Sequence, residues 1–187
     1  MQKASRFLSV GIALLLAISV MGCALSSTPT PISEVPTVSA YTAPDNAYSF
    51  NYPEDWVDLT YLGQYFNISR EGWQLDTFLG LYEDEYHSIC VKCMRKTYPQ
   101  PITLEEVREQ EKISPPYMRW ALVSGKAAIV VEFDYARLDS PMYREIRDIY
   151  LISGDTLFRF TMGADGQSYY ESFDVAYSTF INSLQVR

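Results

Sequence analysis

Histidine is almost missing from this chain: His87 is the only one among 187 residues. Any Ser–His–Asp centre would have to use it, and no G-x-S-x-G setting for a nucleophile accompanies it. Glycine-rich loops that cradle phosphate are absent as well. Basic clusters are equally scarce. Lys and Arg total 15 against 23 Asp and Glu, a net charge of −8, and "MRKT" at 94–97 holds only a local pair of charges. A chain this acidic is repelled by nucleic acid and by anionic lipid headgroups, so nucleic acid is excluded as a partner. No apolar run reaches the ~20 residues needed to cross a bilayer as a helix. Apolar residues make up 48% and aromatics 14%, enough for a packed core, which excludes global disorder. The length suits about one domain.

Cysteine occurs at three positions, 23, 90 and 93. The first follows a charged start (Lys3, Arg6) and an apolar run from Phe7 to Met21. That order fits a secretory signal better than a membrane anchor. The first 22 residues carry no acid, so without them the charge moves from −8 to −10. Val20, Met21, Gly22 and Cys23 resemble a bacterial lipobox, although Met21 is bulkier than the residue usual there. The resemblance implies a diacylglyceryl group on the Cys23 sulfur, cleavage between Gly22 and Cys23, and palmitate-type acyl chains as the anchor. Two acyl chains hold firmly where one is marginal, because each buried methylene contributes ~0.8 kcal/mol. The alternative is an ordinary signal peptide with an incidental cysteine.

Residues 1–22 are therefore expected to be a lipoprotein signal, 23–40 a tether and 41–187 the globular domain. The tether, "ALSSTPTPISEVPTVSA" after Cys23, has prolines at 29, 31 and 36 that oppose helix and sheet alike. As a flexible coil it spans roughly 20–25 Å. "AYSFNYPEDW" (47–56) predicts a strand ending at Pro53, whose missing N–H breaks a ladder. "YFNIS", "TFLGLY" and "SICVKCM" (88–94) predict further strands. Thr103 and Glu106 have the spacing of a capping box and predict a helix over 103–113. Two hairpins follow, turning at Ser124-Gly125 and at Ser153-Gly154-Asp155. Ser168 and Glu171 suggest a second capping box. Behind it Tyr170, Phe173, Tyr177, Phe180, Ile181 and Leu184 share one helical face that should lie across a sheet. Hairpin-linked strands with few helices predict an α+β fold on an antiparallel β-sheet, as a single domain.

Cys90 and Cys93 form a C-x-x-C. In a strand such positions point to opposite faces with Cα atoms roughly 10 Å apart, beyond the ~7 Å a disulfide allows. A strand therefore predicts two unpaired thiols, whereas a turn at 91–92 would reverse that. His87 extends the pattern to H-x-x-C-x-x-C. His87, Cys90 and Cys93 are weak metal candidates, since a structural zinc site wants four ligands and no fourth follows. The acids of "YEDEY" (82–86) match no EF-hand loop and read as a solvated loop. No catalytic residue and no cofactor is expected. Fifteen tyrosines are the most unusual feature of the composition. Tyr and Trp suit interfaces as well as strands, and an exposed minority including Trp73, Tyr82 and Tyr86 is the candidate partner surface.

"YSFNYPEDW", "VSGKAAIVVEFDY" and "GDTLFRFTM", with a terminal helix ending "FINSLQV", together resemble the PsbP-like family over most of 41–187. The resemblance implies an α/β/α sandwich around the antiparallel sheet and members that act chiefly in docking or assembly. It brings no catalytic residue with it. The expected protein is a non-catalytic lipoprotein, anchored through Cys23 at the outer face of the bacterial membrane, with a domain that docks a protein partner. The alternative is a solute-binding module holding a ligand between sheet and helix.

Overall fold

The computed structural model describes residues 37–64, 72–84, 87–134 and 144–187. Cys23, Tyr86 and the expected strand at 65–69 lie outside them. The first described strand, β1 (Val38–Thr42), pairs antiparallel with β2 (Tyr48–Pro53), Tyr41 opposite Phe50. The ladder thus starts three residues before the boundary expected at 41. Once the prolines stop, Val38, Ala40 and Thr42 are free to extend. β2 ends at Pro53, as its sequence requires.

Eight more strands follow. They are β3 (Val57–Asp58), β4 (Gln74–Asp84), β5 (His87–Thr97), β6 (Met118–Val123), β7 (Lys126–Asp134), β8 (Arg144–Ser153), β9 (Thr156–Asp165) and β10 (Gln185–Val186). Seven form one antiparallel sheet in the order β3-β4-β5-β9-β8-β7-β6; β1, β2 and β10 form a small second sheet. The β6–β7 turn is Ser124-Gly125, with φ of 54° and 72°, the double left-handed conformation of a tight hairpin. Between β8 and β9 only Gly154 is left-handed, with φ of 64°.

Helix α1 (Leu104–Gln110) starts at the capping box expected for it. The Glu106 amide donates to Thr103 Oγ1 at 3.3 Å, and the Thr103 amide donates to Glu106 Oε2 at 2.8 Å. The helix is shorter than 103–113. Helix α2 (Gln167–Ser183) has Gly166 as its N-cap, two residues before the expected Ser168, and no side chain caps it.

The large sheet has two unequal faces. One is covered by the small sheet and α2, whose Phe173, Tyr177 and Phe180, with Leu184 just past its end, pack with Tyr48, Phe50, Val91 and Phe160 in an apolar core. The other carries a smaller core of Trp73, Met94, Val107, Ile129, Val131, Tyr150 and Leu157 beneath α1. A seven-residue helix cannot make a full layer, so the expected α/β/α sandwich is replaced by a mainly antiparallel β fold with two helices.

Candidate functional site

His87, Cys90 and Cys93 lie along one continuous strand, β5. Cys93 is buried in the α2-side core and Cys90, an odd number of residues away, faces the other side. The two thiols are free. His87 and Cys93 share a face but stand roughly 20 Å apart at ~3.3 Å per residue, and among the described residues no three His, Cys, Asp or Glu groups converge on a metal position. Burial pushes the Cys93 thiol far above its ordinary range and raises Cys90 as well, so neither is poised as a thiolate.

Trp73 is not a surface residue. It is 4% exposed, sits in the α1-side core and donates its indole N–H to Glu111 Oε1 at 3.3 Å. Its bulk is more stabilising under α1 than in water, which corrects its place in the expected partner surface. Tyr82 is partly exposed on β4.

The apolar surface lies instead at the opposite edge of the sheet. β6 pairs with β7 on one side, and among the described residues no strand pairs with the other. Its period of two puts Met118, Trp120 and Leu122 on the α1 face. Trp120 is 48% and Leu122 80% exposed. Tyr117, just before the strand, is 53% exposed, with its ring 5.3 Å from that of Phe133. Arg119, on the other face, pairs with Glu132 at 3.2 Å.

A cleft of about 360 Å³ opens on the same face. Its floor is Val131 and Phe133 on β7, Asp148 and Tyr150 on β8 and Arg159 on β9; its wall is the segment from Glu111 to Tyr117 that follows α1. Asp148, 4% exposed, accepts from Arg159 Nη2 at 2.7 Å and from the Thr161 hydroxyl. The Arg159 guanidinium carbon lies 5.3 Å from the Tyr150 ring centre. Burial opposes the Arg159 charge, but Asp148 outweighs it and holds the guanidinium above its ordinary range. The Arg159 Nε–H is buried with no acceptor among the described residues. The cleft lies on the α1 face of the sheet, whereas the expectation had placed a ligand between α2 and the sheet.

Neither surface was assigned from the sequence. Asp148 and Arg159 did leave a trace there, as opposite charges inside the apolar runs "EIRDIYLI" and "TLFRFTM" that one hairpin joins. The Trp120 and Leu122 alternation was visible too, but the edge position of β6 depends on strand order, which local pattern does not carry.

No protein-family model matches the chain, and no curated protein sequence matches it. Solved structures do. The solution structure of cyanobacterial PsbP (CyanoP) from Synechocystis matches with a TM-score of 0.51 and 12% identity, over 84% of this chain and 96% of that one. LpqN, described as involved in cell envelope biogenesis of Mycobacterium tuberculosis, matches with a TM-score of 0.44 and 10% identity over 80% and 90%. The Saccharomyces cerevisiae Ran-binding protein Mog1p gives 0.42 and 10% over 81% and 96%. Only the first of these similarities is strong enough to speak to architecture. The chain is built on a PsbP-like fold.

Proposed function

We propose that the protein is an extracytoplasmic lipoprotein, held at the outer face of a bacterial membrane through lipid on Cys23, that docks a protein partner along β6 and performs no chemistry itself. The observation that supports this most is the β6 edge carrying Trp120 and Leu122, which no described strand pairs. A free edge offers main-chain N–H and C=O groups to an incoming strand, and alternate side chains supply the selectivity. Natural sheets usually blunt such edges with charge, proline or cover. Here one face of the edge is left apolar, with a leucine 80% exposed.

Photocrosslinking in intact cells tests the reading. A crosslinker at Leu122 should give a discrete protein adduct, and one at Val175, also exposed (55%) on α2, should not. Cys23→Ser should move the protein from the membrane to the soluble fraction. An adduct pattern identical at both positions would remove the docking role, and unchanged membrane partition of the Cys23 variant would remove the anchor.

The cleft favours a second reading, a module that binds a small ligand beside α1. Its size lies within the ~300–1,000 Å³ common for ligand pockets, and polar groups converge on its floor.

A further inference from the structure

We infer that the cleft over Asp148 and Arg159 takes a neutral polyhydroxylated ring, a saccharide unit. This rests on the second reading above and is independent of docking along β6.

Charge removes two ligand classes first. The lining holds two acids, Glu111 and Asp148, and two bases, Lys112 and Arg159. An anion would approach against the chain's net charge of −8. A cation would meet the Arg159 guanidinium on the floor. A ligand without net charge meets neither obstacle.

The polar groups then ask for hydroxyls. Arg159 has five N–H donors; one, on Nη2, goes to Asp148 Oδ2, and because Nε is sealed from the surface the donors left to a ligand are the remaining Nη protons. Asp148 accepts from Arg159 and Thr161, and a carboxylate has about four lone-pair positions, so acceptor capacity remains. An unused donor and an unused acceptor thus stand side by side. A hydroxyl is both donor and acceptor, and adjacent hydroxyls on one ring satisfy both partners together. A hydrocarbon or simple aromatic ligand would bury them unpaired.

The walls supply the rest. Tyr117 on the wall and Phe133 on the floor present aromatic surface. An aromatic face is electron-rich, and the axial C–H groups of a pyranose are its electropositive side. Rings beside a carboxylate–guanidinium pair therefore match the two surfaces of a sugar, its C–H face and its hydroxyl rim.

The test is saturation-transfer NMR on the full chain in a non-glycosidic detergent. Glucose and N-acetylglucosamine are the neutral probes, with glucuronate and glucosamine as charged comparators. Transfer should be greatest to ring C–H protons of the neutral sugars. Tyr117→Ala, an exposed change that spares the core, should weaken binding about fivefold. Arg159→Lys, which keeps the charge but loses the planar fork, should weaken it too. Transfer confined to the charged comparators would overturn the saccharide assignment and leave the cleft a ligand site. Absence of transfer from all four probes would overturn both. Transfer untouched by either substitution would place any sugar elsewhere and overturn the assignment.

Discussion

The Tyr48 hydroxyl donates to Asp76 Oδ2 at 2.6 Å, joining the small sheet to the large one across 28 positions of sequence. A bulge makes this possible. Leu75 faces Met94 and Thr77 faces Cys93, so Asp76 is an extra residue and both Asp76 and Thr77 reach Tyr48. Arg95 Nη2 donates to the other Asp76 oxygen at 2.6 Å and Arg95 also pairs with Asp45, while the Thr77 hydroxyl donates to Tyr41 at 2.6 Å. Tyr48→Phe removes one hydroxyl and leaves the ring in place, so the loss is the network alone. It should lower stability by about 1–2 kcal/mol, read as a lower urea midpoint at unchanged slope. A midpoint equal to wild type would show that the Tyr48 hydroxyl adds nothing to the join between the two sheets.

Alkali should unfold the protein earlier than its ion pairs would suggest. Burial raises Tyr48, Cys90 and Cys93 above their ordinary values of 10.0, 9.0 and 9.0. The folded chain then keeps protons that the unfolded chain has already released. Stability from these groups is complete below the unfolded values and falls as pH rises through them, beginning near about 9. Urea midpoints measured from neutral pH upward should decline from there, and replacing both thiols (Cys90→Ser, Cys93→Ala) should delay the decline toward the tyrosine range. A flat profile to about pH 10 would contradict this.

The C-x-x-C pair should resist oxidation. With Cys90 and Cys93 on opposite faces of β5, an intrachain disulfide would require the strand to break. Diamide treatment of the folded protein should leave the mass of two free thiols, and the same treatment in urea should lower it by two hydrogen atoms, which the diamide takes up. Disulfide formation in the folded state at the unfolded rate would sink the strand geometry.

Gly80→Ala should destabilise through the backbone. A Cβ at Gly80 would stand 2.6 Å from the Cys90 Cβ and closer still to the Ile89 carbonyl. Neither can swing away, so β4 and β5 must separate. The cost should be about 1–3 kcal/mol, measured as a fall in thermal midpoint.

Local chemistry was legible in the sequence wherever one segment decided it alone. Ser124-Gly125 dictates its hairpin, Thr103 and Glu106 their cap, and Pro53 the end of its strand. Relations between distant segments were not. Val38–Ala40 reads as tether by composition and becomes part of β1 because β2 offers it a ladder. Trp73 looks like interface and is core because α1 folds over it. Ser168 has the better capping side chain, yet the chain leaves β9 so that Gly166, with φ of 90°, is the residue able to make the turn.

The two rims of the large sheet are unequal, and that sets how far any assembly can grow. β3 has two residues and β6 has six. Stacking copy after copy into a filament would need a receptive strand at each end of every subunit. Among the described residues the large sheet offers one such strand, so a neighbour joining by that route terminates the array at a pair.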